Sequence, residues 1–315
     1  MNQTRVIDVT KIEPRLKHPT IFNSFDELAG GDAVLIHNDH DPKPLYYQLL
    51  AERGNTFTWS YVESGPMIWE VEIRKNAVGK HVETLGEIAA KDLRKAEVFK
   101  KYGLDFCCGG KKSLQEACKE KGLDVLKVQE ELDKPAAIAS GVPQHDFNAW
   151  NLTFLTDYIV NVHHAYVRQN IPMLADLSQK VADHHGKTNP ELEGIRDKVD
   201  EMLSELKVHL KKEENILFPY IKELEASKTN GGTAPGGFGS VQQPISVMEN
   251  DHDIVGDLAD EIRILSGNYT LPANACESYA LLYKKLAEFE DDLHMHIHLE
   301  NNILFPKAIE LEKAG

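Results

Sequence analysis

The feature of this sequence best suited to chemistry is a phrase of eleven residues that occurs twice. The first copy runs from His209 to Pro219 and the second from His296 to Pro306, and both read H-x-x-x-E-x-N-I-L-F-P. Residues four apart lie on one face of a helix, with Cβ atoms about 5–6 Å apart. Each copy can therefore direct an imidazole and a carboxylate towards one point. Two copies that face each other would offer two His and two Glu to a pair of metal ions.

One further histidine precedes each copy at almost the same distance. His164 lies 45 residues before His209, and His252 lies 44 residues before His296. The pattern therefore has two halves, one with His164 and the first copy and one with His252 and the second copy. In each half it predicts a helix with one His, a connection, and a helix with His-x-x-x-Glu. Two such helical hairpins form a four-helix bundle, which builds metal sites from inward side chains on facing helices. The predicted ligands are His164, His209, Glu213, His252, His296 and Glu300.

This ligand set offers imidazoles and carboxylates but no thiolate. Such mixed nitrogen and oxygen ligation suits iron or manganese, and zinc less obviously. Two carboxylates are what a pair of metal ions needs as bridges, although a single octahedral metal could also use six ligands. The duplicated layout favours one His plus one His-x-x-x-Glu set per half. Glu205 and Asp251 lie beside the predicted ligands, either to orient imidazoles or as solvated helix carboxylates.

Two adjacent cysteines, Cys107 and Cys108, lie in a glycine-rich turn before a helix that Ser113 is predicted to cap. A helix N-terminus favours the thiolate and lowers the pKa of a thiol, and Lys111 and Lys112 add positive charge. The pair is therefore expected to be nucleophilic, redox-active or a set of soft metal ligands. The alternative is that both thiols act as small apolar groups in a tight turn.

Patterning predicts an α+β chain of three domains. Residues 1–78 read as a small β-α-β-α-β-β module, with Ser24 capping its first helix, and residues 82–135 read as a short helical domain with the cysteines. Residues 145–312 read as the antiparallel bundle, in which Ile-Leu-Phe packs the interior and each proline of the phrase ends or bends its helix. His18, His37 and His40 are either ligands or polar loop residues.

Composition narrows the classes of partner. The formal net charge is −15, with 42% hydrophobic and 27% charged residues. This excess of negative charge argues against nucleic acid and against an anionic membrane surface. The sequence shows no apolar run near 18 residues and no signal peptide, which predicts a cytoplasmic protein. Four cysteines, two of them adjacent, fit a reducing compartment.

Taken together, the motifs of residues 82–311 resemble the repair-of-iron-centres (RIC) family of di-iron proteins, whose bundle is hemerythrin-like. Residues 5–75 resemble a DUF2249-type module, which the shorter members of that family lack. Aligning Pro172 with the family selects His164 over the neighbouring His163. The resemblance rests on Tyr102-Gly-Leu-Asp-Phe-Cys-Cys-Gly-Gly-Lys111, His164-Ala-Tyr-Val-Arg-Gln-Asn-Ile-Pro172, Ser246-Val-Met-Glu-Asn-Asp-His-Asp253 and the two copies of the phrase.

The resemblance implies two non-haem iron ions with oxo and carboxylate bridges, in which Glu213 and Glu300 bridge and the His are terminal ligands. It implies repair of iron–sulfur clusters after oxidative or nitrosative damage, by iron donation or nitric oxide reduction. Damaged iron–sulfur proteins would be the partners, and Cys107 and Cys108 a thiolate relay or docking point. Two alternatives stay open. One is a protein that binds or senses dioxygen or nitric oxide without turnover; the other is a regulatory scaffold whose N-terminal module binds a partner.

Overall fold

The computed structural model describes residues 3–54, 56–76, 83–133, 145–229 and 240–314. Contacts divide the chain into two compact units, Met1–Val82 and Glu83–Gly315. The predicted α+β organisation is confirmed, with one small sheet in the first unit and helices in the second. The predicted domain boundaries at residues 78, 82 and 135 lie outside the described residues. Within the described ranges, no helix has the length and apolar character needed to cross a bilayer.

The first unit is a four-stranded sheet with two helices, in the predicted order of elements. Strand order is β1-β2-β4-β3, parallel between β1 and β2 and antiparallel elsewhere. The predicted cap at Ser24 is wrong, because the first helix begins at Pro14, whose fixed φ suits the first helical position. The elements are β1 (Thr4–Asp8), α1 (Pro14–Asp26), β2 (Ala33–Asn38), α2 (Lys43–Arg53), β3 (Phe57–Ser64) and β4 (Trp69–Lys75).

The three histidines considered as possible ligands, His18, His37 and His40, form separate side-chain pairs. His37 lies on β2, and its Nδ1 is 3.0 Å from Glu70 Oε1 on β4. His40 pairs with the adjacent Asp39, and His18 pairs with a glutamine of α2. Among the described residues, none of the three belongs to a group of side chains that can hold a metal ion.

The second unit begins with four short helices around the cysteine-bearing turn. Two of these helices begin with a capping box, at Thr84 with Glu87 and at Ser113 with Glu116, and the second confirms the predicted cap at Ser113. In each box the hydroxyl accepts a backbone N–H and the glutamate accepts the N–H of the cap residue, so two helix-end donors are satisfied. The helices are α3 (Leu85–Lys91), α4 (Arg94–Lys101), α5 (Leu114–Lys121) and α6 (Val125–Asp133).

The rest of the second unit is the predicted antiparallel four-helix bundle. In three of the four long helices of the bundle, the α-helix is interrupted by a π-helical turn: Val160–His164, Glu213–Leu217 and Glu300–Leu304. Each of these turns contains predicted metal ligands, a position where such turns are frequent. The segments are α7 (Leu152–Ile159), α8 (Ala165–His185), α9 (Glu191–Lys212), α10 (Phe218–Thr229), α11 (Gln242–Leu265), α12 (Glu277–Leu299) and α13 (Phe305–Lys313).

The prolines of the phrase do not end their helices. Pro219 lies in α10 and Pro306 lies in α13, and both helices continue to Thr229 and Lys313. A proline lacks the N–H and its ring clashes with the carbonyl of residue i−4. In each copy the π turn ends two residues before the proline, so the wider turn relieves that clash and the helix runs on. Pro172 likewise lies inside α8 and begins no new segment.

Candidate metal centre

The six predicted ligands meet at the centre of the bundle, where all are buried. Their side chains form two groups whose donor atoms lie within 4.8 Å of one another. The groups share both glutamates, so together they form one centre with two places for a cation. Cluster A consists of His164, Glu213, His296 and Glu300, and cluster B consists of His209, Glu213, His252 and Glu300.

The clusters do not follow the two halves of the repeat, as the layout of one ligand set per half had suggested. Each cluster takes one imidazole from each half. The Nε2 atoms of His164 and His296 lie 3.1 Å apart, and those of His209 and His252 also lie 3.1 Å apart. Helix packing between the halves makes this possible, because α8 packs on α12 as well as on α9 of its own half, and α9 also packs on α11. Each single-His helix therefore faces the phrase of the other half.

Both glutamates reach from one cluster to the other. Glu213 Oε2 lies 3.3 Å from Nε2 of His164 in cluster A and 3.3 Å from Nε2 of His209 in cluster B. Glu300 turns Oε1 towards His296 at 3.1 Å and Oε2 towards the α11 imidazole of cluster B at 3.0 Å. The carboxylates thus stand where bridges between two cations are needed.

Two partners that orient the imidazoles were missed from the sequence. His164 Nδ1 lies 2.7 Å from Glu214 Oε1, and His252 Nδ1 lies 2.9 Å from Asn301 Oδ1. Both acceptors stand directly after the shared glutamate, at the variable position of the phrase. Because both partners are oxygen acceptors, Nδ1 carries the proton and Nε2 keeps its lone pair for the cluster. The sequence contained one indication of this role, because Glu214 and Asn301 both have side-chain oxygens that can accept a hydrogen bond.

Of the two carboxylates predicted to support the site, one is in place. Asp251 Oδ2 lies 3.4 Å from His209 Nδ1 and 2.7 Å from Lys212 Nζ. Glu205 is exposed on the surface of α9. The spacing of one helical turn before His209 therefore did not bring Glu205 to the centre.

His163 is buried together with His164, although ordinary α-helical geometry lets only one of two neighbours face the core. The π turn that contains both residues explains this difference. His163 Nδ1 lies 3.0 Å from Asp292 Oδ1, and its ring stacks on His296 at 5.7 Å between ring centres. His296 Nδ1 is buried without a hydrogen bond to any described residue. His163 thus supports cluster A by packing and supplies no atom to it.

The phenylalanines of the phrase cover the imidazoles. Phe218 stacks on His164 at 5.5 Å between ring centres, and Phe305 stacks on His252 at 6.0 Å. These rings fix the imidazole planes and exclude water from the centre. The expected burial of the whole Ile-Leu-Phe run is wrong at one place, because Ile216 is 46% exposed.

The buried imidazoles and carboxylates of the two clusters shift one another's pKa values. Burial lowers the pKa of His164, but the nearby carboxylates of Glu213 and Glu300 outweigh it and raise this pKa to about 9. Burial also lowers the pKa of His209, but Glu213 and Asp251 raise it to about 10. Burial and the charge of Glu300 raise the pKa of Glu213, yet the imidazoles bring it down to about 2. The carboxylates therefore favour the protonated form of His164 in cluster A and of His209 in cluster B.

These donor atoms fit a pair of divalent cations. Nε2 lone pairs only 3.1 Å apart repel each other unless a proton or a metal ion lies between them. Both oxygens of Glu213 are buried, and neither accepts a hydrogen bond from a described residue. A buried carboxylate in that state needs a compensating positive charge. Imidazole and carboxylate ligands without thiolate match iron or manganese.

Cys107 and Cys108 lie outside both clusters, and the predicted lowering of the thiol pKa is wrong. The hydrogen bond that the Cys107 thiol donates to Cys108, together with burial, raises the pKa of Cys107 well above its usual value. The bond to Cys107 lowers the pKa of Cys108, but burial and the charge of Asp105 outweigh it and raise that pKa. Only a short 3-10 turn, Gly109–Lys111, follows the pair, so no long helix dipole favours a thiolate.

Three known domain families match this chain. Residues 6–75 match an uncharacterized conserved protein family, DUF2249. Residues 81–136 match a domain of unknown function, DUF542. Residues 156–308, which contain clusters A and B, match the hemerythrin HHE cation binding domain.

Curated relatives of similar length to the second unit also match. The chain is 39% identical over 227 residues to the iron-sulfur cluster repair protein YtfE of Edwardsiella ictaluri, covering 71% of this chain and 96% of the relative. It is 36% identical over 227 residues to YtfE of Escherichia coli O157:H7, covering 72% and 96%. A probable iron-sulfur cluster repair protein of Haemophilus influenzae is 35% identical with the same coverage.

Proposed function

This chain belongs to the family of iron–sulfur cluster repair proteins, and we propose that it repairs damaged clusters with two non-haem iron ions held in clusters A and B. The observation that carries the proposal is the pair of shared glutamates, Glu213 and Glu300, which reach both clusters. Bridging of this kind holds two cations side by side. The damaged iron–sulfur proteins are the clients of the reaction.

Two bridged iron ions would supply exchangeable iron and a redox-active pair able to bind and reduce nitric oxide. The chain itself supplies four neutral imidazoles through Nε2 and two carboxylates, and it fixes their directions. Glu214 and Asn301 hold the protons of Nδ1 away from the clusters. Phe218 and Phe305 exclude water from the imidazole faces. Loading must therefore displace the protons that the metal-free clusters hold.

We assign the two cysteines to the handling of iron on its way to a client. Cys108 Sγ lies 3.4 Å from the backbone oxygen of His252, so the thiol contacts a residue of cluster B. The thiols would act as a relay or a docking point. Dioxygen and nitric oxide are the small ligands expected at the iron ions.

The first test is the metal content. We expect about two iron ions per purified chain, as two clusters with bridging carboxylates require, and a visible absorption from the iron pair. His209→Ala should remove most of that absorption, whereas His184→Ala, on an exposed position of α8, should leave it unchanged. Less than about one iron per chain, or an unchanged spectrum in His209→Ala, would contradict the proposal.

The second test separates repair from ligand binding. The reduced protein is incubated anaerobically with nitric oxide, and nitrous oxide and the iron that appears in an apo iron–sulfur protein are both measured. Repair by this protein predicts iron transfer, with or without nitrous oxide. Reversible binding of nitric oxide or dioxygen without either product would instead indicate a carrier or sensor.

A further inference from the structure

A third group of metal-ligating side chains lies in the segment before the bundle. Asp105, Cys107 and Cys108 place a carboxylate oxygen and two thiol sulfurs within 4.8 Å of one another. Cys107 Sγ lies 3.1 Å from Asp105 Oδ1. The cysteines are free thiols. Two sulfurs with one carboxylate oxygen are ligands suited to a thiophilic divalent cation, in contrast to the thiolate-free clusters A and B.

Asp105 also fixes the turn on which the two thiols stand. Its Oδ1 accepts the N–H of Cys107 at 2.9 Å, and its Oδ2 accepts the N–H of Gly109 at 2.7 Å. A Cβ atom at Gly109 would lie only 3.0 Å from Asp105 Oδ2, so glycine leaves room for the close approach of backbone and carboxylate. The three donor atoms are therefore held in position before a cation arrives.

The turn lies directly against cluster B through Cys108. Its Sγ lies 3.4 Å from the backbone oxygen of His252. A Cβ atom at Gly256, one turn further along α11, would lie 3.1 Å from the same sulfur. Glycine at this position thus allows the thiol to approach the helix that carries a predicted ligand.

Two polar contacts hold the turn on the ligand-bearing helices. Lys111 Nζ lies 2.6 Å from Glu249 Oε1, whose side chain is buried on α11. Asn302 Nδ2 donates to the backbone oxygen of Phe106 at 3.1 Å, from the π turn that begins at Glu300. The same turn therefore carries a shared glutamate and anchors the cysteine segment.

The group extends from the solvent to cluster B. Asp105 is exposed, Cys108 is half-buried, and Cys107 is buried. Asp257 and Asp260 of α11 add negative charge near Cys108. A cation is thus attracted to this place and can reach it from solvent through the carboxylate.

We propose that Asp105, Cys107 and Cys108 form a third cation site, which takes one thiophilic divalent cation such as ferrous iron, cobalt or zinc. On binding, both S–H bonds break, two metal–sulfur bonds form, two protons leave to solvent, and no electron is transferred. The site lies between cluster B and solvent. Iron that leaves the bundle would bind at this site before it reaches a client, and this role rests on the proposed repair function.

Cobalt(II) titration of the full-length, iron-loaded protein under anaerobic conditions tests the site. Sulfur-to-cobalt charge transfer gives an intense near-ultraviolet absorption that imidazole and carboxylate ligands do not produce. We expect this absorption to saturate at about one cobalt per chain, since the group offers one set of ligands. Cys107→Ser and Cys108→Ser should each abolish most of it, and Asp105→Asn should weaken binding about tenfold or more.

Matched controls come from the other two cysteines. Cys118→Ser and Cys276→Ser leave the group intact and should give the wild-type titration. No sulfur-to-cobalt absorption in the wild-type protein would overturn the proposal, and so would absorption that persists when both Cys107 and Cys108 are replaced. The iron content is measured in every sample. Absent iron with an intact cobalt titration would refute the proposed function alone and leave the third site standing.

Discussion

The imidazoles of the centre differ in the hydrogen-bond acceptor of Nδ1, the ring nitrogen that faces away from the cluster. Glu214 offers His164 a carboxylate, which is also paired with Arg168. Asn301 offers an amide oxygen at the equivalent position of the second phrase. A carboxylate increases the basicity of the ligating nitrogen more than an amide does. One repeated position thus gives two imidazoles of unequal donor strength.

Replacing Asn301 by alanine should weaken cation binding without unfolding the bundle. His252 would lose the acceptor that fixes its tautomer, and removal of such a partner typically costs about 10–100-fold in metal affinity. Competition with a chelator measures the change. Asn215→Ala is the matched control, because Asn215 is an exposed asparagine of the first phrase. Equal affinities for the two variants would show that the Asn301 contact does not support the site.

Metal-free protein should lose stability as the pH rises above neutrality. The pKa values of His164 and His209 rise from 6.5 to about 9 and about 10. A raised pKa stabilises the fold fully below the unfolded value, and this contribution is lost as the pH passes through the folded value. The pKa of Glu213 is lowered from 4.5 to about 2, so its contribution to stability is complete above pH 4.5 and is lost as the pH falls towards 2. This group therefore does not oppose the decline above neutrality.

Urea unfolding of the metal-free protein measured between pH 5 and pH 10 checks this expectation. The free energy of unfolding should decline from about pH 6.5 upwards. The metal-loaded protein should show a smaller decline, because cations replace the protons. His209→Asn should flatten the curve of the metal-free protein, and a wild-type curve that rises over this interval would contradict the assignment of the two protonated imidazoles.

At the scale of elements, helical spacing predicted the centre but not the π turns. The repeat and the spacing of its residues indicated the six side chains that meet at the clusters, and the family resemblance was needed to select His164 over His163. Sequence spacing carries no sign of an i→i+5 turn, so the burial of both His163 and His164 and the continuation past Pro219 were not foreseen. Pairing between the halves depends on which helices pack together, and a repeat alone leaves that choice open. Proximity in sequence to a ligand, one turn before His209 for Glu205 and directly before His252 for Asp251, did not show that Asp251 alone of the two would reach the site.

The π turn after Glu213 should be necessary for metal binding. Deleting Ile216, which is 46% exposed, removes one residue from the turn and favours an α-helical register with little loss of core. Glu213 would then leave the position from which it reaches both clusters, and we expect cation affinity to fall by about tenfold or more. Circular dichroism should still report a helical protein.

Ile216→Ala is the control for that deletion, because it removes the side chain and keeps the number of residues in the turn. Metal content and chelator competition should match the wild-type values in this control. If the deletion variant also kept the wild-type affinity, the π turn would be dispensable for the position of Glu213.

At the scale of the whole molecule, the candidate metal ligands among the described residues all lie in one unit. The six clustered residues, their hydrogen-bond partners and the cysteine turn all belong to Glu83–Gly315. The relatives that match this chain are covered to 96% by alignments of 227 residues, which is close to the length of that unit. Among the described residues of Met1–Val82, none belongs to either cluster, and we propose that the role of this module lies elsewhere than in metal binding.

A chain that lacks residues 1–82 should keep the metal centre. We expect the same iron content per chain, the same visible absorption and the same release of iron to a chelator as in the full-length protein, because every ligand and its support remain. Glu300→Gln in the shortened chain is the control and should lose iron from both clusters, since Glu300 reaches each of them. Nitric oxide turnover and iron transfer to an apo iron–sulfur protein are then compared between the two lengths. Unchanged iron with reduced transfer would assign the module to client recognition, whereas loss of iron on truncation would show that the second unit does not hold its metal ions alone.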